Sequence, residues 1–158
     1  MDKNTKKVID LLNQGRAREL SAILQYMAQH YELENSDYGK LAKAIKKTAI
    51  DEMKHAEALA DRILFLGGVP TSKPDGEAKK GQSVSEMLAT DEGLETNTIK
   101  MYNDSAKACG DLLDHVSKDL FEKLLRAEDG HLDEFQNLKE HADKLGDTWL
   151  AMQTGAGE

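Results

Sequence analysis

A single cysteine in 158 residues, Cys109, leaves no partner for an internal disulfide and too few thiolates for a cysteine-based zinc site. It fits a reducing cytosol. Two prolines and 5% aromatics, beside a plentiful supply of Ala, Leu, Lys and Glu, favour an all-helical protein. Basic residues are outnumbered: the net charge of −8 argues against nucleic acid and makes cations the more natural partners, although a solvated acidic surface is its ordinary reading. Long apolar runs are also missing. The most apolar short stretch, Ile63 to Leu66, is far too brief to cross a membrane, and the opening MDKNTKKVIDLL lacks the apolar segment of a signal peptide. These absences lead us to expect a soluble, cytoplasmic protein with one domain spanning residues 1–158.

Four helical patterns follow one another. The first runs from about Thr5 to Glu34, with Val8, Leu11, Leu12, Leu20, Ile23, Leu24 and Met27 at helical spacing. Asn35-Ser36-Asp37 supplies turn chemistry and a candidate cap for the second, which runs from about Tyr38 to Leu66 and stops at Gly67-Gly68-Val69-Pro70. Thr71 to Gln82 is polar and reads as a loop. Ser83, with Glu86 three residues on, forms a capping box for a third helix reaching about Cys109, with a break near Gly110. The fourth covers about Leu112 to Leu145 and ends at Gly146; Asp147 to Gln153 has room for one or two further turns. The outer connections are short, so each pair of helices should be an antiparallel hairpin. The middle connection, about 16 residues, is long enough to run the length of a bundle and return the chain to the same end. The expected fold is an up-down-down-up four-helix bundle with a long crossover loop and a short C-terminal helix.

Two Glu-x-x-His motifs, Glu52-x-x-His55 and Glu128-x-x-His131, fall on the second and fourth helices. Residues three apart share a helical face, so each motif can aim a carboxylate and an imidazole at one point. One such motif is weak evidence of a site, and the partners decide the matter. Glu19 lies 33 residues before Glu52, and Glu95 lies 33 residues before Glu128. Both halves therefore carry the same hairpin with carboxylates in register, as a pseudo-twofold site requires. One Glu from each of two helices plus a Glu-x-x-His from each of the other two is the di-iron carboxylate pattern of ferritin-like bundles. Four carboxylates balance the charge of two ferrous ions, and the imidazoles suit iron better than calcium or magnesium. Glu52 and Glu128 are the natural bridging ligands, with Glu19 and Glu95 terminal. Solvated surface glutamates are the bland alternative, but each sits in an apolar stripe, where an unpaired carboxylate would be very costly. Tyr26 is two turns beyond Glu19 on the same face; it can bond a metal-bound carboxylate and donate an electron, or be an ordinary buried tyrosine. His30, His115 and His141 have no matching carboxylates and read as surface or capping residues.

The first two helices are apolar on too many sides for lone amphipathic helices. Leu20, Ile23, Leu24 and Met27 on the first, with Ile50, Met53, Ala56 and Ala60 on the second, are best buried against another subunit. Ordinary interface packing accounts for Met53 from spacing alone.

The segments RARELSAILQYMAQHY, AIDEMKHAEALADRILFLGGVPT and FEKLLRAEDGHLDEF resemble the corresponding helices of bacterioferritins, and the likeness extends through the crossover and the tail LGDTWLAM. The resemblance implies a ferritin-like di-iron domain that oxidises Fe(II) with oxygen or hydrogen peroxide and stores the product as mineral. It matches Glu19, Glu52, His55, Glu95, Glu128 and His131 to the ferroxidase ligands and Tyr26 to the tyrosine beside them. It implies haem shared between two subunits with Met53 as axial ligand, a shell of about 24 subunits built from twofold dimers, and an electron-donor protein for iron release. Asp51 matches an inner-surface iron position of some relatives, but Lys47 stands where they carry histidine, which argues against an accessory site on the cavity wall. A rubrerythrin-like peroxide reductase, a manganese catalase and a metal-free interaction bundle are the rival readings. The lack of paired Cys-x-x-Cys motifs counts against the first.

Overall fold

The computed structural model describes residues 1–157. It contains α1 (Lys3–Asn35), α2 (Gly39–Phe65), α3 (Val84–Asp111), α4 (His115–Leu145) and the short α5 (Asp147–Met152). Helix α1 packs along α2, and α3 along α4; the hairpins meet through α1 with α3 and α2 with α4. Contacts across both seams run antiparallel: Tyr26 meets Glu95 while Tyr102 meets Glu19, and His55 meets Glu128 while His131 meets Glu52. Helices α2 and α3 therefore point the same way, and the order is up-down-down-up as the loop lengths predict. No described helix is long and apolar enough to cross a membrane.

The crossover between α2 and α3 is a strap pinned along α1. Asn13 bonds Val69 O and Thr71 N, and Arg16 reaches Thr71 O at 2.8 Å and Ala56 O at 2.7 Å. Farther up, Ser21 and Arg18 hold Asp75, Gln25 exchanges two bonds with the Lys79 backbone, and Glu32 accepts from Gly81 N. Polar side chains on that face of α1 thus satisfy the loop's backbone groups, which a segment without secondary structure must place somewhere. The strap begins where α2 ends: Gly67 adopts φ +88°, and Gly68 N bonds back to Ile63 O at 2.9 Å. A Cβ on Gly68 would stand 2.8 Å from Ile9 Cγ2 and 3.0 Å from Ile63 Cγ2, both on stiff β-branched side chains. Gly68→Ala is expected to destabilise the protein by about 1–3 kcal/mol through overpacking. A thermal midpoint at the wild-type value would contradict this.

Three of the four long helices begin at side-chain caps. Asp2 caps α1 through Thr5 N, and Ser83 with Glu86 forms the expected capping box of α3. Three expectations need correction. The cap position of α2 is Tyr38, with no side-chain cap bond, while Asp37 takes the left-handed turn conformation at φ 65°. Helix α3 passes through Gly110 to Asp111, and α4 starts at His115 rather than near Leu112. The break comes at Leu113 (φ 61°) because Asp114 caps α4 through Ser117 N and is itself held by Arg62 at 3.0 Å. The role of Gly110 is proximity: a Cβ there would lie 3.2 Å from Lys118 Cδ across the hairpin. His30 is the third. It is buried, with Nδ1 2.7 Å from Ala42 O and Nε2 3.2 Å from Glu34, so it ties α1 to α2; His115 and His141 are exposed as expected.

The apolar core falls into two clusters. One gathers Tyr26, Leu33, Leu41, Ile45, Leu88 and Phe135, closed at its end by Trp149 of α5. The other gathers Leu12, Leu59, Ile63, Tyr102, Phe121 and Leu124. Between them lies a buried layer of acids and histidines.

Candidate metal centre

Glu19, Glu52, Glu95 and Glu128, from four different helices, are each no more than 1% exposed, and His131 is 7% exposed. Helical periodicity delivers them there, because each sits on the stripe that also carries its helix's core residues. Ligand atoms of Glu19, Glu52, His55 and Glu128 lie within 4.8 Å of one another, and so do those of Glu52, Glu95, Glu128 and His131. The two sets share Glu52 and Glu128. Each set is completed by one further Glu and one His, Glu19 with His55 in the first and Glu95 with His131 in the second. All six residues anticipated as ligands converge.

The hydrogen bonding fits this donor set to cations. Glu19 Oε2, Glu52 Oε1, Glu95 Oε2, Glu128 Oε2 and His131 Nδ1 are buried without a hydrogen-bond partner. Leaving so many polar atoms unpaired in a low-dielectric interior is expensive unless something else satisfies them. Carboxylate oxygens with imidazole nitrogens are the ligands that first-row divalent ions such as Fe(II) take.

The electrostatics are those of carboxylates crowded together. Burial pushes the Glu19 carboxyl well above its ordinary value, and the charges of Glu52 and Glu128 push it further; Glu95 rises through burial and its proximity to Glu128. Burial opposes ionisation of Glu128 as well, but its close contacts with Glu95, His131 and His55 outweigh it and hold that carboxyl low. Burial disfavours charge on the histidines, yet contacts with Glu128, Glu19 and Glu52 push His55 up to about 12, and Glu128 and Glu52 push His131 up to about 10. Without metal, the histidines thus serve as the cations of the site.

The sign of the pH dependence follows. Both histidines have folded values above 6.5, so their contribution to stability is complete below that pH and is lost as pH rises through about 10 to 12. Glu19 and Glu95, held up in the fold, lose stability in the same direction as pH rises above 4.5. Glu128, held low, contributes above 4.5 and loses its contribution as pH falls. The metal-free protein is therefore expected to be most stable at mildly acidic pH and to soften on the alkaline side. Loading with a divalent metal at pH 7 must expel the histidine protons, and release of at least about two protons per subunit is expected in weak buffer. Loading without proton release would contradict this charge assignment.

Tyr26 is fully buried and donates to Glu95 Oε1 at 2.5 Å, across the bundle rather than to Glu19 on its own helix. Tyr102 does the mirror-image job and was missed in the sequence: it is fully buried and donates to Glu19. The signal was available, since Tyr102 follows Glu95 by the same seven residues that separate Tyr26 from Glu19. Burial and the neighbouring carboxylates raise both phenols well above their ordinary values, so they stay protonated as donors.

Met53 points away from this layer: it is 55% exposed, whereas the adjacent Glu52 is buried. Leu24 on α1 and Ile50 on α2 are also exposed, at 50% and 39%. The apolar excess is narrower than expected. Ala56 is buried in this chain's own core, and Leu20, Ile23, Met27 and Ala60 are half-buried.

A four-helix bundle with a crossover strap and a central layer of four carboxylates and two histidines defines the ferritin-like class, and residues 9–147 match the Ferritin-like domain family. Bacterioferritin of Desulfovibrio desulfuricans is 46% identical over 149 residues, spanning 94% of this chain and 83% of that protein. A crystal structure of Desulfovibrio desulfuricans bacterioferritin, showing its diiron site in different catalytic states, superposes with a TM-score of 0.94 at 44% identity, covering 98% of this chain and 90% of that one. Rhodobacter capsulatus bacterioferritin, solved with a metal-free dinuclear site and its heme iron on a crystallographic special position, gives a TM-score of 0.90 at 35% identity, covering 96% and 94%. The chain belongs to the bacterioferritin family.

Proposed function

We propose that this protein stores iron, oxidising Fe(II) to Fe(III) at the site formed by Glu19, Glu52, His55, Glu95, Glu128 and His131. The observation that carries the reading is the pair of overlapping ligand sets sharing Glu52 and Glu128, with unpaired oxygens turned inward. Iron supplies the valence change, with dioxygen or hydrogen peroxide accepting the electrons. The protein supplies the rest. Glu52 and Glu128 reach both positions, so they can shift between shared and one-sided binding as the charge of the site changes. Tyr26 and Tyr102 each hold one oxygen of a terminal carboxylate, leaving the other free to bind; Tyr26 is also placed to give up an electron. The apolar clusters on either side keep bulk water from the layer.

Assembly and haem belong to the same proposal. The exposed Leu24, Ile50 and Met53 form a face for a second copy, and the dimers build a closed shell of about 24 subunits. Met53 from each of two copies would hold one haem between them, and the haem would supply an electron path for mineral reduction by a donor protein. A cytoplasmic location fits the free, buried Cys109. In aerobic stopped-flow mixing, fast oxidation should saturate at two Fe(II) per subunit, and iron added beyond that should co-elute with a large particle on gel filtration. A monomer, or oxidation no faster than in buffer, would reject the function.

A further inference from the structure

The ligand layer repeats itself across the pseudo-twofold: Glu19 with Glu95, Tyr26 with Tyr102, Glu52 with Glu128, His55 with His131. The repeat fails one residue before each Glu-x-x-His motif, where α2 carries Asp51 and α4 carries Ala127. Asp51 Oδ2 lies 3.1 Å from His131 Nε2. That side chain is 38% exposed, on the rim of the buried layer. It thus holds the far nitrogen of His131 and leaves Nδ1, which is buried without a hydrogen-bond partner, as the nitrogen facing Glu52 and Glu128. His55 is held the other way round. Its Nδ1, the nitrogen facing the carboxylates, is bonded to Glu128 Oε1 at 2.7 Å, and the methyl of Ala127 offers nothing to orient the ring from behind.

We infer that the two metal positions load in order, the Glu95/His131 position before the Glu19/His55 position, and that Asp51 is the positioning residue that sets this order. A metal entering beside His131 displaces only a proton whose 3.1 Å contact with Glu52 lacks hydrogen-bond geometry, and it finds the imidazole already oriented by a carboxylate, which also makes it a stronger donor. A metal entering beside His55 must first displace the bond to Glu128. Once the first position is filled, Glu128 is drawn towards that metal and its hold on His55 loosens, so the second step follows. Asp51 therefore acts here through a histidine, and the exposed Lys47 one turn before it on α2 is not called upon to bind metal.

The inference rests on the six-ligand reading, and cobalt(II) titration of the metal-free protein, followed by its visible absorption, separates the failure of one from the failure of the other. The wild type should bind two Co(II) per subunit in two resolved steps. His131→Ala should lose the tighter step and His55→Ala the weaker. Asp51→Ala should weaken the tight step by about 10–100-fold, bringing the two steps together, with the weak step nearly unchanged. Asp51→Asn, which keeps an oxygen acceptor for Nε2, should recover most of the loss. Circular dichroism melting of each variant checks that the bundle is intact. Uptake of fewer than two Co(II) by the wild type would defeat the ligand reading itself. Two Co(II) bound with constants that Asp51→Ala leaves alone, or a tight step that survives in His131→Ala, would overturn only the order and the role of Asp51.

Discussion

Replacing Glu128 with alanine is expected to abolish binding at both metal positions and to slow iron oxidation by about a hundredfold or more, the several kcal/mol that metal coordination contributes to such chemistry. Glu128 belongs to both ligand sets, so its loss opens both. It is also the carboxylate that keeps His55 and His131 charged. Without metal, Glu128→Ala should therefore lower the thermal midpoint at neutral pH, because His55 loses its closest carboxylate and His131 loses one of the carboxylates around it. Glu19→Gln gives a useful contrast. Burial and the charges of Glu52 and Glu128 already disfavour the ionised form of Glu19, and an amide oxygen can still accept from Tyr102. That variant should lose one metal and most of its oxidation rate while keeping, or slightly raising, its metal-free midpoint. Absorbance-monitored Fe(II) oxidation and differential scanning calorimetry together read both effects. Equal midpoints for the two variants would mean that the site's charges are not arranged as described.

Met53→Ala is expected to remove porphyrin altogether, from one per dimer to none, while leaving fast iron oxidation within about twofold of the wild type, the indifference usual for surface substitutions away from a site. The two functions separate because Met53 is rotated about 100° around the helix from Glu52. The exposure of one and burial of the other bear out that rotation. Were Met53 of each copy to hold the haem, its soft, neutral thioether would favour Fe(II). Haem content by pyridine haemochrome assay and oxidation rate by absorbance make the test. Porphyrin retained at one per dimer in the variant would assign the axial position to another residue.

Much of this was legible in the sequence because long helices write their buried face with a fixed period. Glu19, Glu52, Glu95 and Glu128 recur in register with leucines and aromatics, so their convergence could be read from spacing. The length of the Gly67–Gln82 connection alone dictated the crossover, and Asn13, Arg16, Ser21 and Gln25 show how it is tied down. What escaped was set by contacts between helices. His30 looks like a surface residue on its own helix and is buried only because α2 brings Ala42 O against it. Gly110 looks like a helix stop, whereas it makes room for Lys118 while Asp114 and Arg62 set the turn. Tyr102 required Glu19 and Glu95 to be treated as equivalent, and Asp51 required knowing which nitrogen of His131 faces the carboxylates. Periodicity reports a residue's own helix; the partner across a seam appears only in three dimensions.

The most direct measurement is anomalous X-ray scattering at the iron edge from crystals soaked anaerobically in Fe(II). Two peaks per subunit are expected within the buried layer, one beside Glu19 and His55, the other beside Glu95 and His131, with Glu52 and Glu128 reaching both. Saturating Fe(II) with no peak among these six side chains, or with iron bound only at surface carboxylates, would contradict the account.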